Sequence, residues 1–187
     1  MIKRIGTTYI SEKELYKSMY KSLGMKARLN KTITADYLKE HTTSSSLLYH
    51  PFWIVKNLVV ADRPPFPPKK IPRMIFVDAV SGYRGIFSHV PPVSEEAVDD
   101  RVIVQPFIQE NEVDKYAEDV RAKQIDKQYL LKKPRHEQVD ASLVYLPIYK
   151  VVVESAEVNK TFYINGNTGE SEQFLSERWQ SGKDLRG

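Results

Sequence analysis

The sequence predicts an α+β fold of two tandem repeats, each a helix packed on a small antiparallel sheet. Three observations carry that expectation. An aromatic-proline stretch occurs twice, as Leu48-Tyr49-His50-Pro51-Phe52-Trp53-Ile54-Val55 and as Val144-Tyr145-Leu146-Pro147-Ile148-Tyr149-Lys150-Val151. Each copy is followed by an apolar run that closes in a turn, Ile75-Phe76-Val77-Asp78-Ala79-Val80-Ser81-Gly82 and Phe162-Tyr163-Ile164-Asn165-Gly166-Asn167-Thr168-Gly169, with Asp aligned to Asn, Ser to Thr and Gly to Gly. Such self-similarity marks an internal repeat. A segment of helical periodicity precedes each copy. Residues 1–93 then form a basic first repeat with a proline-rich loop at 62–72, and residues 94–187 an acidic second one. A chain of 187 residues has room for two small domains that share or abut a core.

The elements follow in order. Ser11 and Glu14 have the spacing of a capping box, so a helix opens there. Leu15, Met19 and Leu23 make one apolar stripe beside Tyr16 and Tyr20, and Lys13, Lys17 and Lys21 make a solvated one. A short helix is expected over 35–40 and a polar break over 42–46. The first aromatic strand runs from about 47 to 60. Pro51 and Pro147 cannot donate to a ladder, so each should mark a bulge, a bend or an edge. Asp62 to Pro72 reads as a stiff, polyproline-like connection inserted into a hairpin. The Asp78–Gly82 and Asn165–Gly169 segments are turns, because Asp and Asn bond their own backbone two residues on and glycine accepts positive φ. Third strands are expected over 83–90 and 170–175. Pro91-Pro92 separates the repeats. Val102–Val104 adds a short strand, and a helix capped near Asn111 carries Val113, Tyr116, Ala117 and Val120. The last residues, around Trp179, should form a terminal turn with a fraying tail.

Composition bounds the function. Hydrophobic residues are 41% and charged residues 28%, ordinary for a globular chain. With no cysteine there is no disulfide, thiolate metal site or cysteine nucleophile. The N-terminus lacks the apolar stretch of a signal peptide, and the apolar runs are far shorter than a membrane span. The expectation is a cytoplasmic protein with no membrane partner. The net charge of +4 is uneven: residues 1–93 hold fifteen Lys and Arg against six Asp and Glu, and residues 94–187 hold thirteen against eighteen. The basic half can attract an anionic partner, or the halves can complement each other.

No catalytic constellation is legible. There is no Gly-x-Ser-x-Gly elbow, no Walker loop and no pair of histidines at helical spacing. His41, His50, His89 and His136 are scattered, and the acidic doublets read as solvated surface. The expectation is a protein that is not an enzyme and needs no cofactor and no metal. Gly82-Tyr83-Arg84-Gly85 is a Gly-x-x-Gly, but its flanks read as strand rather than helix.

The turn segments Val77-Asp78-Ala79-Val80-Ser81-Gly82 and Ile164-Asn165-Gly166-Asn167-Thr168-Gly169-Glu170 resemble the terminal strand-turn-strand of PepSY-type domains. That resemblance implies a cystatin-like shape and a non-enzymatic module that binds or inhibits another protein. The candidate contact residues are Pro64, Pro65, Phe66, Pro67, Pro68, Lys69 and Lys70, which contain a Pro-x-x-Pro followed by lysines. An exposed sheet edge offers a second route, to a partner protein or to a homodimer. The alternative is nucleic-acid binding by the basic half, with Lys13, Lys17, Lys21 and Arg84 meeting phosphates and tyrosines stacking on bases.

Overall fold

Long strands dominate the architecture. The computed structural model describes residues 1–181, with side chains through residue 178. The expected packing of Trp179 and the fraying of the last residues lie outside that description. Strands β1 (Ile2–Ile5), β2 (Thr42–Arg63), β3 (Phe66–Asp78), β4 (Arg84–Ile86), β5 (Val93–Glu96), β6 (Arg135–Glu154) and β7 (Asn159–Asn165) alternate with helices α1 (Glu12–Ser22), α2 (Met25–Leu29), α3 (Ala35–Glu40), α4 (Val113–Val120) and α5 (Gln173–Ser181). The strands form one mixed seven-stranded sheet in the order β4-β3-β2-β6-β1-β5, with β7 also pairing β6.

This corrects the expected fold class. Strand accounts for 42% of the protein against 28% helix, and a single mixed sheet replaces two tandem helix-on-sheet repeats. The physical reason lies in β2 and β6, which at 22 and 20 residues are far longer than the aromatic stretches that signalled them. The polar segment at 42–46 is the start of β2 rather than a break. Serine and threonine read as loop when counted locally, but β-branched threonine suits a strand once a neighbour supplies a ladder.

Two compact units divide the chain. One comprises Met1–His50, Pro92–Val104 and Tyr145–Ser181; the other comprises Pro51–Pro91 and Gln105–Val144. Both take residues from either side of Pro91-Pro92. In the first unit, Leu15, Tyr16 and Met19 of α1 pack against Val151 and Val153 of β6 and Phe162 and Ile164 of β7. In the second, Val113, Tyr116, Ala117 and Val120 of α4 pack against Trp53, Val55 and Val59 of β2 and Ile75 and Val77 of β3. Each helix therefore buries its apolar stripe on the strands of the other sequence copy. Ile10 N donates to Gly166 O and Ile108 N to Ala79 O, which fixes the same crossing twice.

The two turns match bond for bond. Asp78 Oδ1 accepts from the amides of Val80 and Ser81, and Asn165 Oδ1 from those of Asn167 and Thr168. Gly82 N donates to Asp78 O and Gly169 N to Asn165 O, and both glycines have positive φ, as this turn requires. Pro51 O and Pro147 O accept from Ala79 N and Gly166 N. Each proline stands immediately before the stretch of its strand that pairs in the hairpin, which begins at Phe52↔Asp78 and at Ile148↔Asn165. The helix starts also correspond, with a capping box at Ser11–Glu14 and another at Gln109–Glu112, two residues before the expected Asn111.

The third strands differ from expectation. β4 spans only Arg84–Ile86, and in the other copy Ser171 makes a single bridge to Ile164 before α5 begins. Val102–Val104 contributes one bridge, Ile103 to Tyr49.

Candidate functional site

The residues singled out at 64–70 come together at one end of the second unit. β2 and β3 pair antiparallel from Phe52↔Asp78 to Arg63↔Phe66, with a register shift between Ala61 and Arg63. The expected polyproline-like connection is therefore a paired hairpin. An extended backbone suits both states, and only the partner strand decides between them. A ladder engages backbone that a polyproline-recognising groove would need free. Pro68 and Pro72 share the parity of Met74 and Asp78, whose backbone groups face the β4 side, so that edge of β3 is two amide donors short where β4 does not cover it, which blunts strand addition there.

The hairpin end is basic and apolar-tipped. Arg63, Pro64, Pro65, Phe66, Pro67, Pro68, Lys69, Lys70 and Arg73 are all exposed. Arg63 Nε donates to Pro67 O at 2.8 Å, which steadies the turn. The loop before β6 lies beside it, because Lys132 Nζ meets Asp62 Oδ2 at 2.7 Å and Arg135 approaches Asp62 Oδ1 at 3.7 Å. The hydrogen bond from Lys132, with its charge, holds the Asp62 carboxyl below the usual aspartate range. Within that loop Tyr129 packs against the core of the unit and Pro134 is buried. The residues between them face water: Leu130 is 96% exposed, Leu131 102%, and Phe66 across the hairpin 67%. Lys69, Lys70, Arg73 and Lys133 make no ion pair among the described residues.

A polar network fixes the loop from behind. Arg121 Nε donates to Asn57 Oδ1 at 3.0 Å, which orients the amide so that Asn57 Nδ2 donates to His136 Nδ1 at 3.1 Å. His136 Nε2 then donates to Asp126 Oδ1 at 2.7 Å. Arg121 also bonds Asp114 and Gln138. The His136–Asp126 pair has the look of a catalytic dyad, yet both imidazole nitrogens are engaged and no lone pair faces a substrate. Sequence reading missed this network, since its bonds join residues 7 to 79 apart.

A second network lies in the first unit. Glu96 accepts from Tyr9 Oη and Tyr49 Oη, and Arg4 Nε pairs with the same carboxylate. Arg4 also stacks over the Tyr9 ring and bonds Asn167. Burial pushes the Glu96 carboxyl up, but the two tyrosine hydroxyls and the Arg4 charge outweigh it and hold the group below the usual range. Burial also pushes both tyrosine hydroxyls up. The cluster ties β5 to β1 and β2.

The anion-binding candidates are separated. Lys13, Lys17 and Lys21 lie on the exposed face of α1 with no ion pair among the described residues. Lys13 and Lys17 border an open groove of about 460 Å³ together with Glu12, Asp36 and Lys39. The tyrosines meant to stack on bases are occupied: Tyr16 is core, Tyr20 Oη donates to Arg28 O, and Tyr37 stacks on His41. Arg84 belongs to the second unit, where it pairs with Asp119 at 2.8 Å, donates to Gly82 O and lies over the Tyr116 ring.

Among the described residues no group of three or more His, Asp or Glu is placed to hold a metal ion, and no helix is long and apolar enough to cross a membrane. Compared with protein-family models, curated proteins and solved structures, the chain matches none. The resemblance to PepSY-type domains therefore rests on the turn motif alone.

Proposed function

We propose that this chain is a non-catalytic binding or adaptor protein whose contact surface is the hairpin end of the second unit. One observation carries the reading: Phe66, Leu130 and Leu131 stand exposed amid cations that have no counter-charge. Exposing large apolar side chains to water is unfavourable, so several of them at one end of a unit mark a contact surface. Seven Lys and Arg occur against one Asp over residues 62–73 and 130–136, which selects an acidic occupant. The surface is also pre-ordered. The ladder, the Asp62 ion pairs and the His136 network hold it in place before any partner arrives, which lowers the ordering cost of binding.

The test is capture of partners by the full chain and by a variant with Phe66→Ser, Leu130→Ser, Leu131→Ser, Lys69→Glu and Lys70→Glu. The wild type should retain a partner that the variant loses, with unchanged thermal melting. Equal retention by both proteins refutes the reading. So does a hydrolytic activity that disappears when a single polar residue is changed.

A further inference from the structure

We infer that the occupant of the hairpin end is an anionic lipid bilayer surface, an inference that rests on the contact surface proposed above. The chemistry of the tip separates the candidates. Leu130 and Leu131 are adjacent, aliphatic and fully in water. A single-stranded nucleic acid is held by rings on which bases stack, and Phe66 is the one aromatic side chain exposed at this end among the described residues. On a phosphate backbone the leucines would stay wet and contribute nothing. At a bilayer both halves of the tip are satisfied at once. Cations sit among anionic headgroups, and apolar side chains enter the boundary between headgroups and acyl chains.

The geometry suits that placement. Tyr129 and Pro134 are anchored inward, so the two leucines project from a fixed base. Lys133 lies two residues past Leu131, Lys69 and Lys70 stand exposed on β3 opposite Ala61 and Val60, and none of the three makes an ion pair among the described residues, while Lys132 and Arg135 engage Asp62. The long lysine stems can lie along the apolar face while their ammonium groups reach the headgroups. The first unit carries the same chemistry on α2, where Met25 and Leu29 are both exposed and Lys26 and Arg28 lie between them. Sequence reading set membranes aside because it looked for a span, and peripheral docking needs none.

The experiment is co-sedimentation of the full chain with vesicles of phosphatidylcholine alone and of phosphatidylcholine with phosphatidylserine. Binding should require phosphatidylserine and weaken as salt is raised. Leu130→Ser and Leu131→Ser should each weaken it about tenfold. The pair Lys69→Glu and Lys70→Glu should weaken it roughly a hundredfold. All four positions are exposed, so melting temperatures should not move, and that measurement accompanies each variant. Absence of binding at low salt overturns the inference, as does equal binding to the neutral vesicles. Binding that ignores the leucine changes overturns it too, leaving only electrostatic adsorption. Retention of a protein or nucleic acid that depends on the tip, without vesicle binding, overturns the lipid assignment but keeps the contact surface. Vesicle binding that ignores every tip change overturns both.

Discussion

Removing Met19 tests the crossed packing of the helices directly. Met19 lies wholly inside the first unit, on the α1 stripe that faces β6 and β7. Met19→Ala deletes Cγ, Sδ and Cε. At about 0.8 kcal/mol per methylene-sized group the transfer loss is about 2.4 kcal/mol, and the cavity left behind raises it to about 3–4 kcal/mol. For a chain of this size that lowers the melting temperature by about 6–16 °C. The informative readout is where the loss falls. Hydrogen exchange followed by mass spectrometry should show faster exchange in Phe162–Ile164 of β7, with Ile75–Val77 of β3 still protected. If protection is lost in β3 and kept in β7, α1 packs on the strands of its own sequence copy and the crossed arrangement is wrong. A change below about 1 kcal/mol would show instead that the site is not a filled core position.

Two further predictions concern polar and backbone features of the same unit. The Glu96 carboxyl is held below its ordinary value of 4.5, so its contribution to stability is present above that pH and is lost as pH falls through the depressed folded-state value. Denaturant midpoints of wild type and Glu96→Gln should differ at neutral pH and converge in acid; a constant difference would show that the carboxylate charge plays no part. Gly169 has φ +76°, and a Cβ there would stand 2.6 Å from Ser18 Oγ. Gly169→Ala should cost about 1–2 kcal/mol from the left-handed backbone alone, with the collision added. Ser18→Ala in the same chain should recover only the collision, and full recovery by that second change would show that the backbone term is negligible.

Local signals were legible and long-range choices were not. The paired turns at Asp78–Gly82 and Asn165–Gly169 could be read because their bonds join residues two to five apart, so side-chain chemistry dictates them. The capping box at Ser11 is of the same kind. The amphipathic helices were legible too, since one stripe of apolar residues repeats at helical spacing. What each stripe packs against was not legible. A stripe of Leu15 and Met19, or of Val113 and Ala117, is apolar area of no fixed address, and burial rewards any complementary face. Tertiary structure chose the strands of the opposite copy, and it joined the strands into one sheet by drawing the polar segments 42–46 and 135–140 into β2 and β6. It also decided the contact surface. The prolines and lysines of 64–70 were visible in the sequence, but no local signal there singles out Leu130 and Leu131. Tyr129 and Pro134 are turned inward while the leucines between them face water, and the Asp62 ion pairs and the His136 network hold their loop. Exposure depends on what the rest of the chain covers, and that is settled by packing over long sequence separations.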